Sequence, residues 1–234
     1  MDAATLETLN ALRSNRVPVA TVTNLQSGAV EVIASEAIPS GALGEAVATA
    51  LQSRKSSGIT LAGIDHFINV YVPSPRIVII GAVHISQTLV HMAKLTGLDV
   101  VVIDPRTAFA TPERFASTDL IADWPEDVLQ TRPLDRHTAV VALTHDPKID
   151  DFALMDALRK GCFYVGALGG QKTHEARLKR LAAQGFGEPD LQRIHGPVGL
   201  NIGAVSPAEI AVSILAEIIS TMRFGDKSLS KRNA

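Results

Sequence analysis

The apolar positions of this chain follow two rhythms that meet near Val72-Pro73-Ser74-Pro75, where the prolines remove amide donors and favour extended backbone. Before this stiff linker, apolar runs at 18–23 and 29–33 predict strands. Leu43, Val47, Ala50 and Leu51 recur at helical spacing, which predicts a helix over 40–52 beginning at Ser40. Residues 66–71 (HFINVY) alternate like a half-buried strand.

After the linker, strands and helices take turns. The apolar, β-branched run 77–80 (IVII) predicts a central parallel strand covered on both faces. Ile85, Leu89, Met92 and Ala93 then share one helical face, with Gly97 at its end. Runs 100–103 (VVVI) and 139–143 (AVVAL) predict two more such strands. A helix carrying Phe152, Met155 and Leu158 follows, capped by Asp150 or Asp151 and stopped by Gly161. Residues 163–165 read as a short strand, leading through the glycine-rich stretch 166–170 into a helix that contains Lys172. Ser206, Pro207 and Glu209 supply the N-cap, first-position proline and capping box of the last helix. Alternation of this kind builds a parallel sheet with right-handed crossovers. The predicted class is α/β: a Rossmann-like parallel sheet with helices on both faces over 73–225, preceded by a small α/β N-terminal module over 1–72. Residues 226–234 read as a flexible polar tail.

Composition narrows the function. Apolar residues make up 46% of the 234 and charged residues 20%, enough to bury a large core. The formal net charge is -2 and no basic stripe is present, so nucleic acid is not an expected partner. A single cysteine, Cys162, excludes an intramolecular disulfide and a cysteine-cluster metal site. No apolar run reaches the ~18 residues of a membrane span, and no export segment is recognisable, which points to the cytoplasm.

The first βα turn reads Ile80-Gly81-Ala82-Val83-His84. Gly81 stands where a dinucleotide fingerprint needs its first glycine, but Val83 and Ser86 occupy the places of the second and third. Asp104, 23 residues beyond Gly81, closes the second strand where an acid can accept from ribose hydroxyls. Arg106 beside it can reach a phosphate or pair with Asp104. His84 can donate to a phosphate or cap its own helix. Thr144 and His145 follow the third strand at the carboxyl edge, where open α/β sheets hold ligands, with Asp146 and Asp150 nearby as orienting or capping groups. Gly166, Gly169 and Gly170 can present backbone N–H groups to an anion at the start of the Lys172 helix. Glu209, Ser213 and Glu217 form a polar stripe on an otherwise apolar last helix. This stripe reads as a solvated edge, with a crevice or docking face as the alternative. On these features alone an NAD(H)-dependent oxidoreductase, with His145 as acid/base, stands beside a nucleotide-sensing scaffold without chemistry.

Five ordered blocks add to this reading. They are 72–84 (VPSPRIVIIGAVH), 102–106 (VIDPR), 144–146 (THD), 164–170 (YVGALGG) and 196–218, which opens GPVGLNIGA and continues SPAEIAVSI. Together they resemble the XdhC/CoxI family, accessory proteins of xanthine dehydrogenase-type molybdenum hydroxylases. The resemblance implies a chaperone that binds molybdenum cofactor, as molybdopterin or its dinucleotide form, assists its sulfuration and inserts it into an apo-hydroxylase. Its implied partners are that hydroxylase, a cysteine desulfurase or full-length paralogue, and further copies of the chain as a homo-oligomer. The residues it would use are Gly81, Ala82, Val83, His84, Asp104, Arg106, Thr144, His145, Gly166, Gly169, Gly170, Lys172 and Glu217. Family members carry a Gly-Ala-Gly-His turn and an N-terminal cysteine in a Gly-Cys-Leu-Glu setting. This chain has Val83 in the turn, and 41–45 reads GALGE without a cysteine. It therefore resembles a short variant with a reduced N-terminal domain, one that binds the pterin or nucleotide portion only or works beside a full-length partner.

Overall fold

In the computed structural model, residues 1–225 are described; the expected tail at 226–234 lies outside them. The chain forms two compact units, Met1–Pro73 and Ser74–Ala234.

The first unit runs α1 (Ala3–Ser14), β1 (Val19–Asn24), β2 (Val30–Ala34), α2 (Ala42–Ser53), β3 (Ser57–Leu61) and β4 (Ile64–Tyr71). Its strands pair antiparallel in the order β2-β1-β4-β3. Ala20, Val22, Ile33, Val47, Ala50 and Ile68 make its core. Ser40 does not start the helix. The N-cap is Gly41, at φ 91°, because the chain turns there through a left-handed conformation open to glycine. Helix α1 has no marked apolar stripe to announce it. It is fastened by Asp2, whose carboxylate accepts from the Thr5 N–H at 2.8 Å, and buries only Leu9.

The second unit runs β5 (Arg76–Ile80), α3 (His84–Leu95), β6 (Asp99–Ile103), β7 (Asp119–Ile121), α4 (Pro125–Thr131), β8 (Thr138–Ala142), α5 (Pro147–Arg159), β9 (Tyr164–Ala167), α6 (Gln171–Ala183), α7 (Glu188–Leu191), β10 (Ile194–His195) and α8 (Pro207–Phe224). Every strand pair is parallel, in the order β10-β9-β8-β5-β6-β7. Strand β5 shows why its run is unbroken. Ile77 and Ile79 point to the face covered by Leu89 of α3 and Ile214 and Ile218 of α8, while Val78 and Ile80 meet Leu154 of α5 and Leu181 of α6. All four are 2% exposed or less, each burial contributing ~1.5–3 kcal/mol. This is the Rossmann-type α/β fold expected from the sequence.

The sheet grows outward in both directions from β5 and β8, so their carboxyl ends flank a topological switch point. Two readings of helix ends are corrected there and on α8. Asp146 caps α5, accepting from the Lys148 N–H at 3.0 Å with Pro147 at the first position, which leaves Asp150 buried one turn on. The stripe on α8 is not a solvated edge. Glu209 is exposed and completes the capping box with Ser206, but Ser213 and Glu217 are 3% and 7% exposed because neighbouring loops cover them.

Candidate functional site

The first turn is closed upon itself. Gly81 donates its N–H to Ile103 O at 2.8 Å, Ala82 to Asp104 Oδ2 at 2.7 Å, and Val83 to Ser86 Oγ at 3.3 Å. Ser86, fully buried, returns its hydroxyl proton to Gly81 O. Gly81 has φ 114°, and a Cβ there would stand 2.8 Å from Thr144 Cγ2, so the glycine answers to its neighbouring strand. Asp104 also takes three hydrogen bonds from Arg106: from the backbone N–H and Nε to Oδ1, both 2.9 Å, and from Nη2 to Oδ2 at 2.8 Å. Arg106 lies over the Phe109 ring at 4.7 Å. Burial alone would raise the Asp104 pKa, but Arg106 and the Ala82 N–H outweigh it and hold the carboxyl below its ordinary value. His84 is at the first position of α3 and is exposed.

The other half of the carboxyl edge is open. His145 leaves β8 at φ 64°, a conformation uncommon outside glycine and asparagine, and lines two adjacent basins. The larger, about 670 Å³, lies between Leu168-Gly169-Gly170 and the loop from Pro197 to Ala204, with Ile210 and Ser213 of α8 behind it. Its walls are mostly backbone and aliphatic carbon, with the polar residues His145, Asn201 and Ser213 among them. Gly170 caps α6 there, and Gly169, Gly170 and His145 line the same basin. Lys172 stands on the smaller basin instead. Gly166 lies beneath, inside β9: a Cβ would come within 2.6 Å of Val198 and 2.7 Å of the Tyr164 ring, so packing accounts for it.

The loop over the larger basin is held from below by a network that sequence spacing does not reveal. Glu217 Oε2 accepts from Tyr164 Oη at 2.5 Å and from the Gly199 N–H at 2.8 Å, and Oε1 lies 3.2 Å from His195 Nδ1. The Tyr164 and His195 rings stack at 4.5 Å. Desolvation works to raise the Glu217 pKa, yet His195, Tyr164 and Gly199 together keep it below the usual value. Gly199, at φ 95°, sits so near α8 that a Cβ would be 2.3 Å from Ser213 Oγ. Glu217 therefore anchors the basin wall from behind.

The smaller basin, about 340 Å³, lies between α5 and α6. Asp150 and Arg177, each 2% exposed, form part of its wall, with Lys172 at the start of α6 and Arg180 paired to Asp151 at 2.7 Å. Asp150 Oδ1 accepts from Thr144 Oγ1 at 2.7 Å, and Arg177 Nη2 donates to Leu168 O at 2.8 Å. Burial pushes the Asp150 pKa up to about 6, only partly countered by Thr144 and Arg177. Sequence reasoning misses Arg177, because one arginine on a charged helix carries no signal of burial.

Among the described residues no group of three or more His, Cys, Asp or Glu is arranged to hold a metal ion. Cys162 is 2% exposed and burial pushes its thiol up to about 12, out of thiolate range at neutral pH. No described helix is long and apolar enough to cross a membrane.

Similarity to known proteins bears on this geometry. The chain is 34% identical over 175 residues to a Bacillus subtilis protein named as a probable xanthine dehydrogenase subunit, covering 73% of this chain and 51% of that protein. It is 30% identical over 148 residues to the molybdenum cofactor insertion chaperone PaoD of Escherichia coli, covering 63% and 40% respectively. The uncharacterized Escherichia coli protein YqeB is 32% identical over 153 residues, 65% of this chain and 28% of YqeB. The chain thus spans about half or less of the length of these relatives. A crystal structure described as a xanthine dehydrogenase from Bacillus halodurans shares the fold, with a TM-score of 0.58 at 20% identity over 93% of this chain and 94% of that one. Residues 77–218, from β5 through most of α8, match the model of the XdhC Rossmann domain, and the chain belongs to the XdhC family.

Proposed function

We propose that this chain binds the organic part of the molybdenum cofactor, molybdopterin or its dinucleotide form, and delivers it to a xanthine dehydrogenase-type apo-hydroxylase. Family membership supports the reading, together with a relative named as a molybdenum cofactor insertion chaperone. The observation that carries it is the pair of basins meeting at His145. One is walled mostly by backbone and aliphatic carbon with His145, Asn201 and Ser213 among them, the other largely by charged side chains, and together they suit a ligand that combines a heterocycle with phosphate. The residues present fit the pterin and phosphate portions and not the metal: the one cysteine is buried and protonated, and no described His, Cys or carboxylate cluster is arranged for ligation. Molybdenum chemistry, including sulfur transfer, then belongs to the cofactor and to a cysteine desulfurase or full-length paralogue. In this account Gly169, Gly170 and Lys172 hold the phosphates, His145 stands at the junction, and Glu217 keeps the loop in place.

The NAD(H) oxidoreductase reading loses its main support in the first turn. There the N–H groups of Gly81, Ala82 and Val83 already have protein partners, and Asp104 is saturated by Arg106 and Ala82. The test is reconstitution: purified chain loaded with molybdopterin is mixed with apo-hydroxylase. Hydroxylase activity should appear faster than with free cofactor, and equal rates would reject the delivery role.

A further inference from the structure

The smaller basin contains buried polar atoms that the fold leaves without partners. Asp150 Oδ2, Arg177 Nε and Arg177 Nη1 have no hydrogen-bond partner in the protein, although their residues are anchored at the neighbouring atoms. Buried polar groups are paired in the great majority of cases, and leaving one unpaired costs ~1–3 kcal/mol. The two residues that carry this unpaired acceptor and these two unpaired donors both line one open basin, and a ligand with complementary groups that presses into its floor would complete them.

We propose that this basin seats the lactam edge of a heterocycle, a ring N–H beside a carbonyl oxygen, the edge shared by pterins and guanine. The N–H donates to Asp150 Oδ2 and the carbonyl oxygen accepts from Arg177. The choice between this group and a simple oxyanion follows from the mixed wall. A phosphate would satisfy Arg177 but face the Asp150 carboxylate as a like charge; a lactam edge satisfies both at once. Thr144 fixes the state of the acceptor. Its hydroxyl accepts from the Asp146 N–H at 3.0 Å and so gives its own proton to Asp150 Oδ1, leaving Oδ2 as the atom that meets the ligand. Lys172, on the same wall at the start of α6, lies within this basin to meet a phosphate that follows the ring. The assignment to a pterin rests on the cofactor-binding reading above; the lactam chemistry does not.

The test is calorimetric titration at pH 7.5 of the whole chain with free pterin, with GMP and with inorganic pyrophosphate. The parent protein, Asp150→Asn and Arg177→Lys are compared, with circular dichroism confirming that each variant is folded. Asp150→Asn turns its oxygen toward the Thr144 donors and so presents an NH₂ to the ring N–H. Pterin affinity should fall at least tenfold in it and in Arg177→Lys. In the parent, affinity should also weaken as pH drops below about 6, where Asp150 takes up its proton, and Asp150→Asn should abolish that dependence. Folded Asp150→Asn that binds pterin as the parent does would overturn the proposal, as would a parent that binds pyrophosphate but neither pterin nor GMP. GMP binding without pterin binding would support the lactam site while removing its link to the cofactor. Molybdopterin retained equally by parent and Asp150→Asn would overturn the site and leave the cofactor reading standing.

Discussion

Tyr164 on β9 gives its phenolic proton to Glu217 Oε2 on α8 at 2.5 Å, and the same oxygen accepts the N–H of Gly199 at 2.8 Å. One carboxylate thus ties a strand, a helix and the loop over the larger basin. Glu217→Gln keeps the size but loses the charge that both donors share, and should cost about 2 kcal/mol of stability. Glu217→Lys places a cation among the groups that donate to Glu217 and should cost more than ~4 kcal/mol, leaving little folded protein. A urea titration checks both. A Glu217→Lys protein with the parental midpoint would return the residue to a surface role.

The same carboxylate gives stability a lower pH limit. Its folded pKa is held below the ordinary value, so its contribution is complete above about pH 4.5 and is lost as pH falls through the folded value. Asp150 acts in the opposite sense. With its pKa raised to about 6, its ionised form destabilises the fold at neutral pH by roughly 3 kcal/mol, and that penalty fades as pH falls toward 4. Asp150→Asn should therefore raise Tm at pH 7.5 and lose that advantage by pH 4.5. A variant with lower Tm than the parent at pH 7.5 would show that Asp150 is not strained.

The fold is legible in the sequence where local pattern and burial agree. The run 77–80 is apolar because both faces of β5 are covered, and Ser206-Pro207-Glu209 announces α8 because capping uses only neighbours in sequence. Short edge elements give no such sign: β7 has three residues and β10 two, and each exists because a longer strand offers a ladder. The candidate site is legible as a place, the carboxyl edge beyond β8, but not as chemistry. Tyr164, His195 and Glu217 come from distant segments, and Arg177 reads as one more charge on a polar helix. Asp150 reads as a cap in the sequence because its burial depends on α6 packing against α5.

The position of Asp104 at a strand end suggests a residue separable from folding, and the structure shows otherwise. It is fully buried and serves both the turn and Arg106, so Asp104→Ala should destabilise by about 2–3 kcal/mol, with Ala82 losing its acceptor and Arg106 its anchor. Chemical denaturation measures this directly, and an unchanged midpoint would show that the turn stands without it.

From the glycine pattern alone, Val83→Gly should restore dinucleotide binding by clearing space for a pyrophosphate. With the N–H groups of residues 81–83 engaged by Ile103, Asp104 and Ser86, added space alone does not supply donors. The variant should bind NAD no more than about twofold better than the parent, a change of ~0.4 kcal/mol. A tenfold gain in calorimetry would revive the dinucleotide turn as a ligand site.

Native mass spectrometry of the chain, purified from cells that make molybdenum cofactor, tests cofactor binding most directly. The expected result is a retained mass equal to molybdopterin or its dinucleotide, released on denaturation and giving pterin fluorescence after oxidation. A bare polypeptide mass that gains NAD but never a pterin, even when molybdopterin is supplied in excess, would contradict cofactor binding.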